Sequence, residues 1–369
     1  MKNSVPIITF PIARCQASMF ATLAALSLSA LEAQGQTDAP LFEADERLEM
    51  TLSMDVRELV RNATRRPEVE AVLEYVGLDG APMALDAEVR TRGKSRLEVC
   101  DFPPLSINLR RSQVEGTLFN GQNRIKLVTL CKRSNAFEQA LYLERLAYDI
   151  YGLVSDHAYR TRLASVTYVD TARKNRATVA PGFFIEHVEG LAERTGLTEG
   201  VFMEGVKRED LDPVEASNLA VFQYLISNTD WSSIAATAGE ECCHNSDLLI
   251  PANASTPVIP VPYDFDQAGL VDTDYALPNP SFRLRSVRQR LYRGFCRHNE
   301  EVGRAMERFL AARGAIDELI ATSPLDEGSK EDASEYLNEG LDVFADPEER
   351  AEEIFDNCRP DLVADDDEE

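Results

Sequence analysis

Asp230 in the segment NTDWSS, Asn245 in HNSDLL, and Asp264 and Asp266 in YDFDQAG gather three carboxylates and an amide within a short stretch of the chain. These are hard oxygen donors, the type magnesium takes, commonly one or two carboxylates completed by substrate phosphate and water. In an extended segment Asp264 and Asp266 project from one face about 6 to 7 Å apart, so they can share one divalent ion or bind two. Left bare, they repel. Phosphoryl transfer asks for such ligands, a carboxylate that orients the acceptor, and a cation on the phosphates. Each residue also has a plainer reading: Asp230 as a turn residue after a helix, Asn245 as a turn former, and the Asp264-Asp266 pair as a solvated turn.

The elements that must position these groups are legible in the periodicities. VEAVLEYV, ALDAEVRTRG, PPLSINL and NRIKLVTL read as strands bounded by Gly, Pro, Asn or Asp. Phe137, Leu141, Leu146, Ile150 and Leu153 then recur at helical spacing behind a Ser134 cap. RLASVTYVDT and GFFIEHV read as strands again. A second helix starts at Asp212-Pro213 with Glu215 three residues on, and its apolar face is Leu219, Phe222, Leu225 and Ile226. Val302, Met306, Phe309, Leu310 and Ile316 predict a further helix, and residues 336–344 another. The pattern predicts an α+β protein with a β-rich first lobe and a mostly helical second lobe. No repeat of 20 to 50 residues is visible, which excludes solenoids and propellers.

The order NTDWSS, HNSDLL, YDFDQAG resembles the core of the CotH-type kinases, whose relatives include HipA and the secretory-pathway kinases. That resemblance implies a two-lobe atypical protein-kinase-like fold that transfers phosphate from ATP with Mg²⁺ or Mn²⁺ to a protein or other envelope acceptor. It implies Asp230 as catalytic base, Asn245 as metal ligand and Asp264 as the metal-binding first Asp of the D-x-D segment; Asp266, from its spacing, is expected nearby as a second metal ligand or as an acceptor behind the first. The stretch VRTRGKSR is similar to the family's RGNSS-like segment, which places Arg92, Gly93 and Lys94, followed by Ser95, beside the nucleotide. Where the family carries a lysine ahead of the next strand, this chain has Phe102-Pro103-Pro104. The phosphate-binding lysine then becomes Lys126, with Glu144 as its partner on the helix and Glu138 as the competitor. The matches run from about residue 89 to 269. Two rival readings use the same residues: a kinase-like binding or structural protein without catalysis, and a calcium-dependent extracellular interaction module.

Other singled-out residues have mainly structural readings. Glu186 could border the nucleotide but reads as an edge-strand surface glutamate, while His187 and His298 read as structural or exposed. Six arginines between Arg283 and Arg297 alternate with apolar residues. They read as an amphipathic helix salt-bridged to acids, or as a ridge for an acidic or phosphorylated acceptor.

Composition sets the frame. The 369-residue chain is 44% apolar, enough for a sizeable core, and its net charge of -25 excludes nonspecific nucleic-acid binding. Residues 326–369 hold 19 Asp/Glu against 3 Lys/Arg, ending in ADDDEE, a solvated tail by composition. At the other end Lys2 and Arg14 precede an apolar run over residues 19–31, followed by Ala33, in the order of a secretory signal. The expected product is a secreted or periplasmic chain without a membrane span. The expected divisions are a signal segment at 1–36, a linker at 37–56, a β-rich N lobe at 57–133, a helix plus catalytic C lobe at 134–325, and an acidic helix and tail at 326–369. Beyond the signal stand Cys100, Cys131, Cys242, Cys243, Cys296 and Cys358, an even number that permits three disulfides in an oxidising compartment without fixing their pairing. Cys242-Cys243-His244 could alternatively mimic a zinc cluster.

Overall fold

The computed structural model describes residues 39–236 and 239–361, so the expected signal segment and the terminal ADDDEE lie outside the described residues. The chain begins with β1 (Leu48–Met54), α1 (Val56–Arg61), β2 (Val69–Val76) and β3 (Pro82–Thr91). In β2 the alternation is complete, with Val69, Ala71, Leu73 and Tyr75 buried and the residues between them exposed. That is what a strand with one wet face requires. β2 and β3 pair antiparallel across a turn where Gly80 takes a φ of 79°, a conformation open to glycine at little cost. Next come α2 (Arg96–Val99), β4 (Leu105–Leu109), α3 (Arg111–Val114), β5 (Arg124–Thr129) and the long helix α4 (Asn135–Gly152). A hairpin of β6 (Thr161–Asp170) and β7 (Arg176–Ile185) follows.

Two long-range pairings decide the architecture. β1 runs parallel to β6, with Leu48 opposite Ala164, and β5 runs antiparallel to β7, with Lys126 opposite Ile185. The result is a closed barrel in the order β1-β2-β3-β4-β5-β7-β6. Closure removes sheet edges and encloses Leu52, Leu73, Val89, Ile107, Leu127 and Phe184, all fully buried. The expected two-lobe kinase-like fold is therefore corrected. RLASVTYVDT and GFFIEHV, read as strands of a second lobe, complete the first sheet. Their residues are apolar on both faces: Ala164, Val166 and Phe184 join the barrel interior, while Leu163, Phe183 and Ile185 join a second core with α4. The linker reading of residues 37–56 is corrected as well, because residues 48–54 are β1, and Leu52 and Met54 belong to the barrel core.

The second core is built from helices around that wall. α4 starts where Ser134 accepts a hydrogen bond from the Phe137 N–H. α5 (Val188–Thr195) leads into β8 (Leu197–Glu199), and α6 (Pro213–Leu225) starts where Asp212 accepts from the Val214 and Glu215 N–H groups. α6 is buried on all sides, so its polar residues need partners. Glu215 takes Ser155 and His157, and Asn218 takes Arg308. β9 (Ser246–Pro251) and β10 (Ile259–Pro262) pair with β8 in a three-stranded sheet of order β10-β9-β8. α7 (Asn299–Ala311), α8 (Arg313–Thr322) and α9 (Glu327–Ala345) close the core with Val302, Met306, Phe309, Tyr336 and Phe344. Among the described residues no helix is long and apolar enough to cross a membrane.

The arginine-rich stretch is not a helix until Asn299, apart from a single turn at Cys296–His298. Four of its six cations are spent locally. Arg288 meets Asp332, Arg290 meets Glu339, Arg293 donates to the Thr229 and Trp231 carbonyls, and Arg297 meets Glu209 and Asp361. Arg283 and Arg285 are the two arginines of the stretch left for an acceptor ridge.

All six cysteines beyond the signal segment pair, as Cys100–Cys131, Cys242–Cys243 and Cys296–Cys358, which removes the zinc reading of Cys242-Cys243-His244. Cys100–Cys131 closes a separation of 31 residues between the end of α2 and the loop before α4. Its loss in Cys100→Ser with Cys131→Ser is expected to cost about 3 to 4 kcal/mol from loop-closure entropy. Urea midpoints of wild type and variant check it, and coincident midpoints would refute it.

Burial also marks a pH response. Asp149 of α4, beside Arg145 and accepting from Thr161, has its carboxyl pushed by burial from 3.8 up to about 6. The folded chain therefore holds this proton more tightly than the unfolded chain. That contribution to stability is complete below pH 3.8 and disappears as pH rises through about 6. Asp149→Asn should keep the Thr161 contact and, relative to wild type, gain on the order of 2 to 3 kcal/mol across that window. Denaturation curves of both proteins across this range test it, and parallel stability profiles would defeat it.

Candidate functional site

Three loops reach one place because their neighbours are anchored. After α6 the chain turns at Asn228, whose side chain accepts from the Asp230 N–H and whose carbonyl accepts from the buried Trp231 indole. Arg293 lies over the Trp231 ring and binds the carbonyls on either side of Asp230. Asn245 precedes β9 with a φ of 52°, and its carbonyl accepts from the Tyr263 N–H at 3.1 Å. Asp264 follows β10 with a φ of 64°, an uncommon conformation held by its N–H donating to the Tyr148 hydroxyl. Between the two aspartates, Phe265 is fully buried against Tyr148 and Phe222.

Around Asp230 the donors converge. Asn245 Nδ2 donates to Asp230 Oδ2 at 3.1 Å and to its carbonyl at 2.6 Å, Gln267 Nε2 donates to Oδ2 at 3.1 Å, and His244 Nε2 lies 2.8 Å from Oδ1. The Asp230 hydrogen bond raises the His244 pKa, partly offset by burial. The Asn245 amide nitrogen is thus occupied. Asp264 is raised by burial first, then by the Asp266 charge, with Asp230 adding to the same effect. Asp230, Asn245 and Asp264 therefore share one neighbourhood.

Asp266 and Glu144 belong to a different cluster, organised by Arg96. This guanidinium is buried and donates to Asp266 at 2.7 Å, Glu144 at 2.7 Å and Asp264 at 3.1 Å. Burial works against its charge, but Asp266, Glu144 and Asp264 together hold its pKa well above the ordinary value. Asp266 also accepts from the Tyr275 hydroxyl, and Arg96 keeps its carboxyl low despite burial. Glu144 goes the other way, pushed by burial up to about 7 although Arg96 opposes the shift. The expected pairing of Lys126 with Glu144 is corrected: Arg96 fills that position from α2, one residue beyond the Arg92-to-Ser95 stretch. Asp266 lies in the interior, where its Oδ2 accepts from Arg96 and Tyr275.

Lys126 instead lies on the outer face of β5, over the rings of Tyr263 at 5.0 Å and Tyr159 at 5.6 Å. Burial lowers its pKa, with Asp247 and Asp264 resisting and Arg92 reinforcing the shift. Tyr159 donates to Asp247. Arg92 and Lys126 therefore present positive charge near Asp264, whereas Gly93 turns the chain at a φ of 93° and the exposed Lys94 pairs with Glu240. Glu138 accepts from Tyr142 and has no part in the cluster. Glu186 is not a surface residue: it is fully buried and bound by Arg194. His187 caps α5, and His298 is buried beside Phe295.

Among the described residues no three His, Cys, Asp or Glu side chains group as a metal site. Calcium takes six to eight oxygens, whereas magnesium often relies on one or two protein ligands with phosphate and water. Asp264 and the Asn245 side-chain oxygen fit the second case. Sequence reasoning missed Arg96, His244 and Gln267. The signal for Arg96 was electrostatic: Glu144, Asp264 and Asp266 could not be brought together without a buried cation. No protein-family model matches the chain, and no curated protein matches it significantly.

Proposed function

We propose that this site transfers a phosphoryl group from a nucleotide such as ATP, with Mg²⁺ or Mn²⁺, to a hydroxyl of a protein or other envelope acceptor. The observation that carries the reading is Asp230, fixed by Asn245, His244 and Gln267 beside Asp264, whose charge is felt by Lys126 and offset by Arg92. Its roles follow the CotH-type resemblance of the sequence segments and the chemistry of the site, not the fold. Asn245 and Asp264 would hold the divalent ion, which supplies charge neutralisation on the phosphates. Arg92 and Lys126 bind and orient the phosphate chain. Asp230 accepts the acceptor hydroxyl's proton as its oxygen bonds to the terminal phosphorus, and the bond from that phosphorus to the leaving diphosphate oxygen breaks. The three donors on Asp230 keep its carboxylate oriented for that transfer.

Export and the three cysteine pairs fit an oxidising compartment, so the acceptor belongs outside the cytosol in this reading. A second reading, nucleotide binding without transfer, is favoured by one observation. Arg96 is saturated by three carboxylates and cannot also reach a phosphate, leaving that task to Lys126 and Arg92. Calorimetric titration of ATP with and without MgCl₂ or MnCl₂, followed by a phosphate-transfer assay on envelope extract, separates the readings. Metal-dependent binding with transfer supports the first, binding alone supports the second, and absence of binding removes both.

A further inference from the structure

On another part of the barrel, a groove of about 850 Å³ runs between α1, the loop from β5 to α4, and the connection from β6 to β7. Each of these three segments contributes two cations: Arg57 and Arg61, Lys132 and Arg133, Arg173 and Arg176. Asp101 and Asp170 are the acids among its lining residues, so the groove is locally positive in a chain whose net charge is -25. Arg173 lies 3.8 Å from Asp170 and Lys132 lies over the Phe137 ring at 4.9 Å. Arg57, Arg61, Arg133 and Arg176 have no ion-pair partner among the described residues, although the chain offers 63 acids. Like charges drawn together from three segments repel one another unless an anion sits among them.

The floor has a different chemistry. Phe102 meets Tyr168 edge to face at 4.7 Å, and Phe137 and Leu130 continue the apolar surface. Tyr168 is 5% exposed, and its hydroxyl has no hydrogen-bond partner. The N-terminal end of α4 adds its partial positive charge, since its cap Ser134 also lines the groove. The volume is that of a small-molecule site.

We infer that this groove binds a small amphipathic polyanion: an aromatic or similarly flat apolar body on Phe102, Phe137 and Tyr168, carrying two or more negative groups that meet the arginine rim. The groove shares no lining residue with the Asp230 site, and the inference does not depend on the function proposed for that site. The Cys100–Cys131 bridge stands at its wall through Cys131 and ties the loop that supplies Lys132 and Arg133.

Isothermal titration of the full chain with naphthalene-1,5-disulfonate, 2-naphthalenemethanol and sodium sulfate tests both halves of the site. The disulfonate should bind one to one and roughly tenfold or more tighter than either single-feature probe, with affinity falling as salt rises. Arg57→Glu and Arg176→Glu, both at exposed positions, should each weaken it by about tenfold while leaving thermal unfolding unchanged. Equal binding of the three probes, no binding of the disulfonate, or indifference to both charge reversals would overturn the inference.

Discussion

Arg96→Met is expected to destabilise the protein by about 3 to 5 kcal/mol, the cost of removing one partner from a buried ionic cluster. The guanidinium satisfies three carboxylates from segments far apart in sequence, and Glu144 and Asp266 are each 3% exposed. Without it Asp266 keeps its charge in the interior without its guanidinium partner, and Glu144, already raised to about 7, is pushed further up and protonated. Arg96→Lys should recover only part of the loss, because one ammonium cannot present the same planar fork of donors to three acceptors. A second change, Asp266→Asn in the Arg96→Met background, should return some stability, because Asp266 is the carboxylate that Arg96 holds ionised in the interior. Urea unfolding of the four proteins measures these differences. A loss below about 1 kcal/mol for Arg96→Met, the range of an exposed pair, would mean that solvent reaches the cluster and shares its load.

The second large effect concerns activity. Asp264→Ala should abolish metal-dependent nucleotide binding, since Asp264 is the one carboxylate of the D-x-D segment with an oxygen face not enclosed by Arg96 and Tyr275. Its side chain is 36% exposed, against 4% for Asp266. Asp230→Ala should leave that binding largely intact and slow transfer by roughly 10² to 10⁴, the usual worth of a positioned proton acceptor. Calorimetry reads the first variant and single-turnover transfer reads the second. If Asp230→Ala loses binding as completely as Asp264→Ala, Asp230 is part of the metal or phosphate site and not the base.

These two predictions separate what local sequence determines from what the tertiary structure decides. The starts of α4 at Ser134 and α6 at Asp212-Pro213 were legible because a cap, a proline and an apolar period act within one or two turns. The strands from β2 to β5 were legible because alternation is a local property. The oxygen-donor types at Asp230, Asn245 and Asp264 were legible for the same reason: each lies in a loop directly after or before a recognisable element. The barrel was not, because its closure depends on Leu48 meeting Ala164 and Lys126 meeting Ile185. A two-faced apolar strand can be drawn into either of two sheets, and only the competition among partners settles which. The choice of Arg96 over Lys126 as the partner of Glu144 was likewise tertiary. Both cations lie in suitable segments, but Lys126 projects toward Tyr159 and Tyr263 from the outer face of β5, while the turn at Gly93 directs Arg96 into the interior. Sequence supplied the donors, the caps and the alternation; long-range packing chose their partners, because charge pairing and sheet closure depend on which residues meet in space, and neighbours along the chain do not specify that.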